Sequence, residues 1–474
     1  MTGTERQFNG DLHAYWDQIG IPPGQFAERM VAWKALPQNA AWIDATEDAD
    51  APEVVAGLWK NGEQGVWYDP SDLSTMYQDA AGTTPCYQPG QGQVDPPVGK
   101  ILDKSGRGNH ATQPTTTCRP TLSARYNLLT ATQEFGATAW VKVDATVGIS
   151  ENVAEAPNGT LTADQITLGV GMRGIRQDAA FSGSGVQSIW VKVAPSGSAT
   201  HIRVSTNNAS AWNTGLSKKV ALTAEWQRLE LAGGLNSGGV AIRVSIGTVD
   251  ATGAVDTDCY GNVLIWGADL RPANDGVGLP PYQRVVDANT YDTVGFPLYL
   301  KFDGVDDWLQ TVSIDFTTTD KVIAATALRK LSDAAVGVAF ELSATAAGNN
   351  GAFLTAAPIT ASVANLYWQS NGTAASAATS PSAYPAPVSS ILTGLGDISG
   401  DKAILRVNGS QVAQSGSDQG AGAYGNYPLY IGRRGGTSLS FNGRLYGLLI
   451  RGAATPDATI TKVERYLNQK ARIY

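Results

Sequence analysis

Two carboxylates held on one face of a strand can hydrolyse a glycosidic bond, one as nucleophile or base and the other as acid. The segment FDGVDDWL (302–309) holds three, Asp303, Asp306 and Asp307. Gly304 breaks the strand pattern between them, so they read as a solvated turn at a strand end. Serine or cysteine hydrolysis needs a histidine within reach of the nucleophile. The three histidines, His13, His110 and His201, fall in three separate segments, and no Gly-x-Ser-x-Gly elbow occurs. Three are also too few for a His-rich metal centre. No phosphate-binding loop occurs, and GVGMRG (169–174) lacks the helix that would make it a nucleotide fingerprint. Cys86, Cys118 and Cys259 are odd in number and lack metal spacing. Small buried thiols are the preferred reading over a Cys86–Cys118 bridge. The chain is therefore expected not to be an enzyme.

Aromatic rings give a second chemistry. They stack on the apolar faces of sugars while amides and carboxylates take the hydroxyls. There are 12 Trp and 17 Tyr. In QSIWVKV (187–193), Trp190 shares a face with Ser188 and Lys192, opposite Ile189, Val191 and Val193. The aliphatic face suits a core, which leaves Trp190 at a surface or an interface. Trp190, Trp212 and Tyr260 are the ligand-binding candidates, with Trp226 also in the same region. Trp140 and Trp266 are expected in the core. Exposed rings would equally suit subunit contacts.

These side chains need strands to hold them. From about residue 65 short alternating runs are punctuated by Gly, Asn and Asp: SIWVKVA, HIRVST, VAIRVSI, KAILRV and LYGLLI. Asn408-Gly409, between ILRV and SQVAQS, predicts a type I′ hairpin, whose two central residues need positive φ. The fold class is mostly β, as antiparallel β-sandwiches of jelly-roll type. Residues 1–64 differ. Phe26, Met30 and Trp33 recur at helical spacing, and Asp50, Pro52 and Asn61-Gly62 frame a second short helix. Two short helices bury little alone, so they pack on the body of this chain or on another protein. A C-terminal helix is capped by Thr455, starts at Pro456, and turns Ile460, Val463 and Leu467 to one side. Residues 377–390 read as a loop and 272–285 as a linker leaving a domain. No repeat of solenoid period is present.

Composition narrows the partners. Hydrophobic residues make 43% and charged ones 16%, with 53 glycines, which fits folded β-rich material. The net charge of −8 argues against nucleic acid and anionic membranes. No apolar run is long enough to span a bilayer, and the N-terminus has no signal-peptide pattern, so first folding in a reducing cytosol is expected.

The segments GVWYDPSDLSTMYQDAAGTTP (65–85), VGKILDKSGRGNHATQ (98–113), LYLKFDGVDDWLQT (298–311) and LYIGRRGGTSLSFNGRLYGLLIRG (429–452) with the helix after it resemble a laminin-G/concanavalin-A-like domain common in virion proteins of tailed bacteriophages. NLLTATQEFGATAWVKVDATV (127–147), APNGTLTADQITL (156–168) and NVLIWGADLRP (262–272) resemble a carbohydrate-binding-module-like jelly roll. The resemblance implies three parts. Residues 1–64 form a docking segment with Phe26, Met30 and Trp33 on its contact face. Residues 65–125 and 288–474 form one discontinuous sandwich, and 126–287 form a second inserted into it. It also implies a tail-fibre, tail-tip or head-decorating virion protein. Such a protein would be a homo-oligomer, as a trimer, that meets other virion proteins through its N-terminus and host-surface polysaccharide through its sandwiches. A depolymerase and a purely architectural protein remain the alternatives. Sandwiches of this kind often hold Ca2+, for which Asp103, Asn109 and Asp303 are the candidate ligands. Tyr446 and Gly447 stand where relatives often carry a late-strand carboxylate. The Glu-x-Asp-x-x-Glu pattern of related glucanases is absent.

Overall fold

The computed structural model of the chain describes residues 51–87, 95–179, 183–195, 197–208, 211–236, 242–250, 252–272, 282–346 and 348–473; in 183–184, 207–208, 211–215, 234–236 and 242 only the backbone is described. Phe26, Met30, Trp33 and His13 lie outside these residues. The described part is mostly β, in four antiparallel sheets that form two sandwiches.

The first sandwich is built from both ends of the chain. Sheet 1 runs Ser410–Ser415, Lys402–Val407, Val388–Asp397, Lys321–Lys330, Asn442–Arg451, Tyr299–Asp303, Thr121–Ser123, and Gly65–Tyr68 also pairs with Asn442–Arg451. Sheet 2 has nine strands. It begins with Met76–Tyr77, Lys100–Ile101 and Ala111–Thr112, and passes through Leu309–Asp315 and Asn426–Ile431 to the edge strand Ala375–Thr379. The core between them includes Phe302, Phe316, Phe340, Phe353 and Trp368. The Asn408-Gly409 turn adopts the expected form, with φ of 48° and 80° between the paired Val407 and Ser410.

The second sandwich uses only strands from 141–272. Sheet 3 runs Ala211–Ala221, His201–Asn208, Ile242–Gly247, Gly174–Ala179, Val141–Lys142. Sheet 4 runs Gln227–Asn236, Gly183–Val193, Gly261–Pro272, Ala163–Leu168, Gly148–Ala154. Trp140, Ile189, Val191, Val263 and Ile265 lie in the core between them.

Two helices cover the outer face of sheet 1, so its central strands are buried on both sides. Helix α1 (Ala51–Ala56) and helix α2 (Asp457–Ala471) pack on one another and on the sheet. Trp59, just past α1, donates its indole N–H to the carbonyl of Ile450. The second of the two expected N-terminal helices thus packs on the body of the chain. Ile460, Val463 and Leu467 are buried, as the spacing predicts. The cap differs: Pro456, not Thr455, stands at the N-cap position, without a side-chain cap. The Thr455 hydroxyl is engaged elsewhere, accepting from Arg451 and donating to the carbonyl of Ala453. The helix is instead anchored by Glu464, 1% exposed, which accepts from Nε and Nη2 of Arg406 at 2.8 and 2.9 Å. No helix among the described residues is long and apolar enough to cross a membrane. The three cysteines are free thiols, Cys259 buried and the other two half-buried.

The chain crosses between the sandwiches at two adjacent places, joined by two buried amides. Oε1 of Gln283 accepts from the amides of Tyr126 and Asn127, and its Nε2 donates to the carbonyls of Ala124 and Asp292. Nδ2 of Asn127 donates to the carbonyls of Ala268 and Gln283. The end of the expected 272–285 linker is therefore a buried tie. A free linker would leave these backbone groups without partners.

Candidate functional site

Sheet 4 turns one face to the core and the other outward. On Gly183–Val193, Ile189 and Val191 enter the core, while Trp190 is half-buried on the outer side. The neighbouring strand Gly261–Pro272 carries a bulge: Ser188 pairs with Asp269, but Trp190 pairs with Trp266. The added residue lets Trp266 and Gly267 both lie outward before Ala268 and Leu270 return to the core. Gly267 is suited to it twice over. Its φ is +66°, and a Cβ there would stand 3.3 Å from Trp190 Cδ1 and 3.5 Å from the Tyr282 ring.

Around this bulge lies an open cleft of about 640 Å³, within the range of ligand pockets. Trp190, Trp266 and Tyr282 give it an aromatic floor; Gln133, Asn158, Thr160, Thr162, Arg284 and Asp292 give it polar walls. Trp266 and Tyr282 pack with ring centroids 4.7 Å apart. A hydrogen-bonded chain runs along one wall. Asn158 Oδ1 accepts from Thr160 Oγ1 at 2.7 Å, Thr160 and Thr162 hydroxyls meet at 2.7 Å, and Trp266 Nε1 donates to Thr162 Oγ1 at 3.0 Å. On the other wall Arg284 Nη2 donates to Glu134 Oε1 at 2.9 Å. Burial pushes the Tyr282 phenol well above its usual range, so it stays neutral and bonds the Thr132 hydroxyl. Such a surface can stack a ring and exchange hydrogen bonds with hydroxyls. Among the described residues Asp292 is the single carboxylate in its lining, whereas glycoside hydrolysis employs two.

The sequence candidates do not all gather here. Trp190 lines the cleft. Trp266, expected in the main core, is buried instead on the outer face, because the bulge places it against Ala163 and Tyr282. Trp226 packs beside this cluster, donates to the carbonyl of Glu155, and has Lys192 Nζ 6.0 Å from its ring. Tyr260 lies six residues before Trp266 along the strand direction, roughly 20 Å away, where its hydroxyl accepts from the Gly171 amide. Trp212 belongs to sheet 3, and its side chain lies outside those described. Tyr282, Arg284 and Asp292 were missed, because the first two lie inside the Gly/Pro-rich stretch 272–285 that reads as linker and the third follows it. Polarity gave no signal there, because the two buried residues of Tyr282-Gln283-Arg284-Val285 are Gln283 and Val285, one polar and one apolar.

The three expected calcium ligands do not converge. Asp103 is bound to the Trp67 amide, and Trp67 pairs with Leu449; Asp303 pairs with Asn442. Seven residues of one strand separate those partners, roughly 23 Å. The Asp103 carboxylate already accepts four bonds, from the amides of Trp67, Ser105 and Asn109 and from the Ser105 hydroxyl. Asn109 Nδ2 donates to the carbonyl of Gly65. This pair staples a loop. Asp303 gathers instead with Asp306 and Asp307, with ligand atoms within 4.8 Å of one another. Asp303 Oδ1 accepts from the amides of Val305 and Asp306, as a turn-forming aspartate does. Burial, then the charges of Asp303 and Asp306, push the Asp307 carboxyl up to about 7. Tyr446 is buried, 5.6 Å from the ring of Tyr299.

No protein-family model and no curated protein matches the chain. Solved structures similar to parts of it include a heptameric SAP-like pentraxin from Limulus polyphemus, 14% identical over 35% of this chain and 80% of that one, with a TM-score of 0.30. The CBM40 of a Ruminococcus gnavus IT-sialidase bound to α2,3-sialyllactose is 17% identical over 31% of this chain and 83% of that one, with a TM-score of 0.26. The botulinum neurotoxin serotype D ligand-binding domain in complex with N-acetylneuraminic acid is 12% identical over 36% and 42%, with a TM-score of 0.27. At these scores the likeness carries no argument about ligand or activity.

Proposed function

We propose that the chain is a non-enzymatic adhesion protein that holds a glycan in the cleft on the outer face of sheet 4, as part of a bacteriophage tail fibre, tail tip or head decoration. The observation that carries the binding reading is the cleft itself, where half-buried Trp190 and Tyr282 stand among amide and hydroxyl groups. The virion setting is supported by the sequence segments that resemble phage structural proteins, and by no feature of the cleft. The mechanism is non-covalent. Each copy makes a weak contact, and display of several copies as a trimer raises the overall hold through effective concentration.

The test is binding of the full chain to an array of bacterial surface glycans, beside a Trp190→Ala variant. Loss of one stacking ring worth about 1.4 kcal/mol lowers affinity about tenfold. Equal binding by both proteins removes the cleft as the site. Release of reducing ends from host polysaccharide would establish a depolymerase. A chain that binds no glycan, on particles that fail to assemble without it, would establish an architectural role.

A further inference from the structure

Resting on the glycan-binding reading, we propose that this cleft selects an uncharged saccharide, and that Glu134 is the specificity-determining residue because it withholds the Arg284 guanidinium from acidic sugars. Recognition of a carboxylate or sulfate sugar requires a guanidinium fork or ammonium free to pair with it. Among the described residues Arg284 is the only cation in the lining. Its Nη2 is committed to Glu134 Oε1 at 2.9 Å, and its Nε is buried beneath the surface, out of a ligand's reach, so Nη1 alone cannot offer the two-nitrogen fork that a carboxylate pairs with. An acidic sugar would therefore meet a neutralised arginine with two carboxylates beside it, Glu134 and Asp292. Like charges brought together in a partly desolvated site disfavour binding.

The remaining wall groups suit hydroxyls. The amides of Gln133 and Asn158 and the hydroxyls of Thr160 and Thr162 supply donors and acceptors without net charge. The Arg284–Glu134 pair is itself partly solvated, with side chains 43% and 35% exposed. Such pairs contribute little to folding stability, so the pair can be altered without unfolding the chain.

The experiment uses the full chain on an array printed with neutral probes (lactose, maltotriose, N,N′-diacetylchitobiose) and acidic ones (3′-sialyllactose, trigalacturonic acid), with Trp190→Ala and Glu134→Gln beside the unaltered protein. The expected result is Trp190-dependent retention that is stronger on neutral than on acidic probes. Glu134→Gln should shift the ratio of acidic to neutral signal upward about threefold, the size expected for freeing a partly exposed ion pair. Trp190-dependent signal that is equal or stronger on acidic probes overturns the proposed selectivity and leaves glycan binding standing. An unchanged ratio in Glu134→Gln overturns the role of Glu134. Absence of Trp190-dependent signal on every probe overturns the glycan-binding reading itself.

Discussion

Replacing Gln283 with leucine keeps the side-chain volume similar and removes an amide that satisfies four backbone groups. Gln283 is fully buried, and its amide bonds span 2.7 to 2.9 Å. Leucine leaves two amides, of Tyr126 and Asn127, and two carbonyls, of Ala124 and Asp292, without those partners. At about 1 kcal/mol for each lost bond the variant should lose about 4 kcal/mol, and more where water does not reach the vacated groups. The assay is urea unfolding followed by amide hydrogen exchange at Tyr126 and Asn127, which should exchange faster by orders of magnitude. Glycan retention should fall too, since the same side chain fixes the crossing that carries Arg284 and Asp292. Gln283→Glu sharpens the test. An ionised carboxylate there faces two carbonyls, so the variant should be weaker at neutral pH and partly recover in acid. A loss below about 1 kcal/mol in Gln283→Leu, with unchanged exchange at both amides, would refute the reasoning that this tie is satisfied by protein alone.

Other perturbations follow from the same structure. Asp307 holds its proton up to about 7 in the folded chain, whereas an unfolded aspartate releases it near 4. Stability should therefore fall as pH rises from about 4 to about 7, and Asp307→Asn should flatten that slope and gain up to about 4 kcal/mol above it, read from denaturation midpoints at several pH values. Gly267→Ala forces a side chain into positive φ and should cost about 1 to 2 kcal/mol. Because the new methyl meets Trp190, glycan retention should fall along with the melting temperature. Arg406→Ala strands the buried Glu464 carboxylate and should cost about 3 kcal/mol or more, with hydrogen exchange across α2 rising before that of sheet 1.

The fold class was legible because its signals are local. Alternation marks strands, Asn408-Gly409 can hardly be anything but a tight hairpin, and the spacing of Ile460, Val463 and Leu467 fixes the buried face of α2. The alternation around Trp190 likewise showed which way it points. The cleft was legible only in part. Its floor depends on one added residue at Gly267, which changes the facing of Trp266 against simple period-two counting. Tyr282, Arg284 and Asp292 hold their places through Gln283 and Asn127, whose bonds between the two crossings span more than 140 positions. The supposed metal ligands failed for a related reason: Asp103 and Asp303 each stand at a turn, and turn aspartates are consumed by nearby amides whether or not an ion is at hand.

The pairing of the chain's two ends has a consequence for biosynthesis. Sheets 3 and 4 possess all their strands once Pro272 has left the ribosome, so that portion can close while translation continues. Sheet 1 has no such freedom. Its strand Asn442–Arg451 is the shared neighbour of Gly65–Tyr68, Tyr299–Asp303 and Lys321–Lys330, and the indole of Trp59 bonds a carbonyl 391 positions later. The strand Gly65–Tyr68 must wait, unpaired and prone to stray association with other nascent chains, until Asn442–Arg451 has been made. A ribosome that stalls before Asn442 would release a finished sandwich joined to an unfinished one.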